Sequence, residues 1–317
     1  MEKILITGAN GQLGTELTIS LCKKYGVENI IASDINLPKS TLPCQFIKLD
    51  VAQKADLERV IANAQITQVF HLAALLSAKG ESDPQFTWDL NMSSLITILE
   101  AARKYQINKI FWPSSIAVFG RTTPKENTPQ HTVTEPDTMY GITKLAGERL
   151  CEYYFKKYGI DVRSLRYPGL ISNKTLPGGG TTDYAVDIFY QAIETGTYNC
   201  FLNRETFLPM MYMPDAIKAT IDLMDAPKEN IKIRSSYNIG AVSFSPEDLA
   251  KVIQKSIPDF TITYSPDFRQ QIADSWPSNI DDSAAKKDWG WQPNFDLDKL
   301  SSDMLKNLKE KLSNSIF

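Results

Sequence analysis

The 317 residues include 43% hydrophobic and 22% charged side chains and carry a net charge of −3, the make-up of a globular chain long enough for one large domain or two unequal ones. Scattered basic residues give no footprint for nucleic acid or an anionic membrane, and no run of about 18 apolar residues offers a transmembrane helix. The apolar stretch at Met1–Gly8 is too short for a signal peptide's core, and Cys22, Cys44, Cys151 and Cys200 show no Cys-x-x-Cys spacing, so they read as buried reduced thiols in a cytoplasmic setting.

Along the chain, Lys3–Thr7 is a short apolar strand ending at glycine, and Gln12–Tyr25 has helical spacing. Asn29–Ser33 is a second strand closed by Asp34, and Phe46–Leu49 a third, followed by Asp50 and a helix from about Lys54 to Asn63. Gln68–Leu72 is a fourth strand, Leu90–Tyr105 a long helix, Lys109–Pro113 a fifth strand, Tyr140–Tyr158 a helix and Asp161–Arg166 a sixth strand. Near-continuous apolar strands separated by amphipathic helices predict a parallel sheet covered on both faces, and right-handed crossovers make it a doubly wound Rossmann sheet.

After about Pro168 the pattern changes. A glycine-rich loop at Pro177–Asp183 precedes a helix near Tyr184–Thr195, and Ser236–Ile239 reads as one more strand able to rejoin the main sheet. Helices follow at Pro246–Ser256, about Asp281–Asp288 and the charged terminus. The expected organisation is an α/β Rossmann domain of residues 1–168 plus about 208–242, with a smaller interleaved C-terminal α/β substrate lobe of about 169–207 plus 243–317.

The turn Gly8-Ala9-Asn10-Gly11-Gln12-Leu13-Gly14 joins the first strand to the first helix. Glycines there allow a tight turn and close backbone approach to a pyrophosphate at the helix N-terminus. Asp34 follows Gly14 at the distance of a ribose-binding acid, and its carboxylate would repel a 2′-phosphate, so NAD is expected over NADP. Asp50 and Val51 are placed to touch adenine, and Leu72, Ala73 and Ala74 to line the ribose–pyrophosphate path. His71 beside them reads as a packed strand residue. With only His71 and His131 in the chain, no ligand-spaced cluster suggests a metal.

Tyr140 and Lys144 stand four apart on a predicted helix and therefore share a face. An ammonium beside a phenol favours the phenolate, which would make Tyr140 a base for an alcohol proton. Ser115, at the exit of the fifth strand, would orient the substrate hydroxyl.

Taken together, the glycine turn, Asp34, His71-Leu72-Ala73-Ala74, Asn91, Ser114-Ser115 with Val118-Phe119-Gly120, and Tyr140-x-x-x-Lys144 resemble the extended short-chain dehydrogenase/reductase superfamily over nearly the whole length. That resemblance adds Ile35, Asn91, Tyr167, Pro168 and Ile171 to the expected cofactor contacts and gives Lys144 a second task, holding the nicotinamide ribose. It also implies a homodimer built on the helices around Leu90–Tyr105 and Tyr140–Tyr158.

Two segments narrow the substrate. Arg166-Tyr167-Pro168-Gly169 stands where sugar-nucleotide epimerases typically show Arg-Tyr-Phe-Asn, and Leu176–Ala185 looks like the signature of metal-free, short-chain-type L-threonine 3-dehydrogenases. The resemblance implies oxidation of the 3-hydroxyl of L-threonine to 2-amino-3-oxobutanoate, with Ser77, Ser115, Tyr140, Gly179, Thr181, Thr182 and Trp276 around the substrate. A purely structural role is the alternative for Trp276, as core packing, and likewise for Ser77, and a surface turn is the alternative for the glycine loop. The alternatives are a sugar-nucleotide epimerase or dehydratase with tightly held NAD, and an inactive NAD-sensing protein.

Overall fold

The computed structural model describes residues 2–38, 41–75, 80–174 and 180–314. The strands of the main sheet are β1 (Ile4–Thr7), β2 (Ile30–Asp34), β3 (Gln45–Lys48), β4 (Gln68–His71) and β5 (Lys109–Phe111). A short β6 (Ser114–Ser115) precedes β7 (Val162–Arg163), β8 (Leu165–Tyr167) and β9 (Gly169–Ile171). The six-stranded sheet runs β3-β2-β1-β4-β5-β7 and every pairing in it is parallel. Its order reverses between β1 and β4, and such a switch point opens a crevice at the strand C-termini.

Period-two alternation feeds both faces. Ile4, Ile6, Ile30, Ala32, Phe70 and Phe111 enter one core, while Leu5, Ile31, Val69 and Ile110 enter the other. The first face is covered by α1 (Gln12–Tyr25). On the opposite face lie α2 (Lys54–Asn63), α3 (Pro84–Tyr105) and α4 (Met139–Tyr158). α3 starts earlier than its apolar run suggests, because Asp83 caps it by accepting from the Phe86 N–H at 3.0 Å and Pro84 opens its first turn.

The expected sixth strand is broken at Ser164. The Ser164 carbonyl accepts from the Tyr237 N–H at 2.9 Å, and its hydroxyl meets that of Ser236 at 2.9 Å. β7 therefore stays with the main sheet, whereas β8 pairs with β6 on one side and on the other with the strand expected at Ser236–Ile239.

Beyond β9 come α5 (Tyr184–Glu194), β10 (Thr197–Cys200), β11 (Leu208–Tyr212) and α6 (Met213–Asp225). α6 joins α1 over the first core. Next are β12 (Tyr237–Asn238), β13 (Val242–Phe244), α7 (Pro246–Gln254) and β14 (Thr261–Tyr264). The C-terminal stretch holds α8 (Arg269–Ser275), α9 (Ser283–Trp289) and α10 (Leu297–Asn314).

β11 sits between β13 and β9 and ties the two halves of the molecule together. Its Leu208, Met210 and Tyr212 enter a third core built with α5, α7 and α10, whereas Met211 faces the first sheet core. Ala285 of α9 and the following Trp291 also return to the first core. Among the described residues, no helix is long and apolar enough to cross a membrane.

Candidate active site

At the crevice, Gly8 has φ +76°, a conformation that disfavours any side chain. A Cβ on Gly8 would fall 2.7 Å from the Ala73 nitrogen, and one on Gly14 would fall 2.2 Å from the Gly8 carbonyl oxygen. The turn is thus a cradle pressed against the exit of β4, and Leu72 is held there by its N–H to the Thr7 carbonyl at 3.0 Å. Gly11 is the N-cap of α1 and offers no side chain to bond the first-turn N–H groups, leaving Gln12, Leu13 and Gly14 at a helix end suited to a diphosphate.

Asp34 at the tip of β2 accepts from the Asn10 N–H and the Asn36 N–H, both at 3.1 Å. The neighbouring Ile35 is 54% exposed. Asp50 accepts from the Ala52 N–H at 3.0 Å, and Val51 beside it is buried. Asn91 binds both backbone groups of Leu75, accepting at 2.9 Å and donating at 3.2 Å, and donates to Thr143 Oγ1 at 3.2 Å. Its side chain clips the β4 exit to α3 and α4.

The side chains of Tyr167 and Ile171 lie in the cores: the Tyr167 hydroxyl bonds Thr220 of α6, and Ile171 packs in the third core. Pro168 is buried between them. His71, wholly buried, bonds Thr7 at 2.7 Å and Ser94 at 3.1 Å, and burial pushes it down to about 3, so it is neutral.

Ser115 and Tyr140 meet. Ser115 Oγ accepts from the Ala117 N–H at 3.2 Å to cap a single turn over Ile116–Val118, and its hydroxyl lies close enough to that of Tyr140 to pull the phenol's pKa down. α4 can approach this turn because Thr138 caps it and Gly141 follows Tyr140: a Cβ on Gly141 would lie 2.1 Å from the Ala117 carbonyl oxygen. Lys144, one turn on, is buried and donates to the Pro113 carbonyl at 2.7 Å, with its ammonium 4.6 Å from the Trp112 ring centre and 5.5 Å from that of Tyr140.

Burial lowers Lys144 to about 7, while burial raises Tyr140 to about 12 against the opposing pull of Ser115. The chain alone therefore holds a phenol, not the phenolate expected from the Tyr–Lys spacing. A cationic ring beside the hydroxyl would supply the missing charge.

Sequence reasoning missed the support below these groups. Glu148, fully buried on α4, takes Nε of Arg166 at 2.8 Å and Nη2 at 2.7 Å, and accepts from Ser114 Oγ at 2.7 Å. Arg166 also reaches the Gln130 carbonyl at 3.1 Å and Asn238 Oδ1 at 3.0 Å. The arginine of the Arg-Tyr-Pro-Gly segment was the available signal, but nothing local named its partner.

Ser77 and Gly179 lie outside the described residues. Thr181 is buried and Thr182 half-buried at the start of α5, where the Gly180 N–H donates to Asp183 at 2.7 Å. Thr182 packs onto Gly169: a Cβ there would meet Thr182 Cγ2 at 2.7 Å. Trp276 packs against Ile116, Val118 and Phe119, the apolar cluster behind Ser115, and also against the third core. Another part of it lines an open cleft of about 750 Å³ with Lys125, Arg204, Phe207 and Tyr264.

Residues 4–240 match the NAD-dependent epimerase/dehydratase family. The chain belongs to that family. Its cofactor is NAD, and the glycine cradle, the free first turn of α1 and Asp34 fit that dinucleotide. Among relatives of known sequence, an epimerase/dehydratase from Staphylococcus haemolyticus is 48% identical over 99% of this chain and all of that one. Among solved structures, the holo form of a GalE-like L-threonine dehydrogenase from Cupriavidus necator is 53% identical, covering 96% of this chain and 99% of that chain with a TM-score of 0.95. A monomeric L-threonine 3-dehydrogenase from a metagenome is 52% identical, covering 97% and 99% of the two chains, with a TM-score of 0.94.

Proposed function

We propose that this chain is an NAD-dependent L-threonine 3-dehydrogenase, oxidising the 3-hydroxyl to give 2-amino-3-oxobutanoate in threonine catabolism. The observation that carries the reading is the packing of Thr182 onto Gly169, which fills with a short hydroxyl side chain the position where sugar-nucleotide epimerases typically carry asparagine. Solved L-threonine dehydrogenases 52% and 53% identical over nearly the whole chain support it.

NAD+, when bound, supplies the hydride acceptor and a positive charge beside Tyr140. Ser115 holds the substrate hydroxyl, and Tyr140 takes its proton as the C3 hydride leaves, so that the C–O bond becomes a carbonyl. Lys144 holds the nicotinamide ribose and adds positive charge. Thr181 and Thr182 offer hydroxyls to the small zwitterion, and Trp276 closes the pocket against water.

The test is NADH formation from L-threonine with added NAD+, run beside UDP-sugars. L-threonine should reduce NAD+, and Tyr140→Phe should lose about 10²–10⁴-fold in rate while still binding NAD+. Turnover of UDP-sugars with none of L-threonine would give the site to an epimerase or dehydratase. NAD+ binding with no oxidation, unchanged by Tyr140→Phe, would make the protein an NAD sensor.

The same reading includes a Rossmann domain and a smaller lobe at the boundaries expected from sequence, a cytoplasmic setting and a homodimer. The exposed Phe86, Trp88 and Ile96 of α3 and Ile142 and Tyr153 of α4 support the dimer, because these helices are neighbours. Since one similar protein is described as monomeric, light scattering of the purified chain decides it: a mass of one chain would remove the dimer.

A further inference from the structure

Cys22 lies near the C-terminal end of α1, and Cys44 immediately precedes β3, the edge strand of the main sheet. β3 alternates between two cores, with Phe46 on the α1 side and Ile47 on the other. The alternation continues upstream, since Leu42 and Cys44 also pack on the α1 side. Cys44 is thereby aimed at α1, where Cys22 is 5% exposed in the same core. The two thiols thus share one core face and lie close enough for each to perturb the other, while Cys44 is half-buried and reachable from solvent.

We infer that Cys22 and Cys44 are a dithiol that closes to a disulfide, an oxidative modification site on the sheet edge away from the cofactor turn. The distance follows from the helix: Cys22 is eleven positions after Gly11, or about 16 Å along the axis at 1.5 Å per residue. The oxidant is a low-molecular-weight disulfide such as oxidised glutathione.

Exposure fixes the order of events. Cys44, having lost its proton, attacks one sulfur of the oxidant; the oxidant's S–S bond breaks and one thiol departs. Cys22 then gives its proton to solvent and attacks the Cys44 sulfur, expelling the second thiol. Two protein thiols are oxidised, one small disulfide is reduced to two thiols, and the charges balance. Burial pushes the Cys22 thiol up to about 12, so Cys22 is a poor first nucleophile and acts only against an activated neighbour. The product would fasten the segment between β2 and β3 to α1.

The experiment treats the whole purified protein with oxidised glutathione and reads intact mass and a non-reducing peptide map. The expected product has lost the mass of two hydrogens, joins the peptides of Cys22 and Cys44, and reverts with dithiothreitol. Cys22→Ala should stop at one glutathionyl group on Cys44, and Cys44→Ser should leave Cys22 unmodified. Cys151 and Cys200, both fully buried, serve as internal controls. Wild-type protein that stops at a glutathionyl adduct, or keeps both thiols free, overturns the inference. So would Cys44→Ser protein that still reacts at Cys22.

Discussion

Thr182 occupies the space that a side chain on Gly169 would need: a Cβ at 169 lies 2.7 Å from Thr182 Cγ2, 2.8 Å from its Cβ and 2.5 Å from Met210 Sδ. The glycine after Pro168 and the threonines of the next loop are therefore one feature. Gly169→Asn should push the loop away from the pocket and lower kcat/KM for L-threonine by about 10²-fold, the scale of a one-ångström misplacement. NAD+ affinity, measured by fluorescence titration, should stay within a few-fold. Unchanged threonine oxidation would separate Thr182 from the substrate.

Glu148 and Arg166 form a two-point ion pair with almost no solvent contact. Glu148→Gln keeps the shape but leaves a buried guanidinium short of its counter-charge. Breaking such a pair costs about 3–5 kcal/mol, so the urea midpoint should fall clearly. Replacing both residues by apolar ones should recover much of that loss, because no unpaired charge remains. If Glu148→Gln unfolds at the wild-type urea concentration, Gln130 and Asn238 suffice to hold Arg166.

Lys144 gives stability a pH dependence of known sign. Its folded value is lowered to about 7 by burial, whereas an unfolded lysine titrates near ~10.4. Below pH ~7 both states are protonated and the folded state bears the full cost of a buried ammonium. Between ~7 and ~10 the unfolded state binds more protons, so stability rises with pH by up to about 1.4 kcal/mol per unit from this group. Lys144→Met should lose that increment. The check is the difference in unfolding free energy between wild type and variant across this range; a flat difference would mean that Lys144 titrates as an ordinary lysine.

Features set by local chain chemistry were legible in the sequence. The glycine turn and Asp34 needed only a strand, a turn and a count, and Tyr140 and Lys144 needed only the helical repeat. The helix start at Asp83-Pro84 was written in capping residues, but the apolar run begins later and drew the boundary to Leu90. The break at Ser164 was not readable, because its cause is Ser236 and Tyr237, about seventy residues on. Nor was the pairing of Arg166 with Glu148, Gln130 and Asn238, since side-chain bonds across the fold leave no period in the chain. The helical repeat places Tyr140 and Lys144 on one face but does not name their partners: the ammonium is directed to the Pro113 carbonyl, and the Tyr140 hydroxyl lies beside Ser115.

Gly141 tests whether that hydroxyl contact depends on close backbone approach. A methyl group there would sit 2.1 Å from the Ala117 carbonyl oxygen and 2.7 Å from Pro136 Cβ, far inside van der Waals contact. Backbone atoms cannot yield as a flexible side chain can, so α4 must move off the Ile116–Val118 turn and draw Tyr140 from Ser115. In an exposed helix interior alanine would be favoured over glycine by about 1 kcal/mol, which makes the sign informative. Gly141→Ala should lower both the thermal midpoint and the turnover of L-threonine, the latter by about 10²-fold through misplacement of the base. Protein that is stabilised and fully active would show that Ser115 and Tyr140 do not rely on this contact.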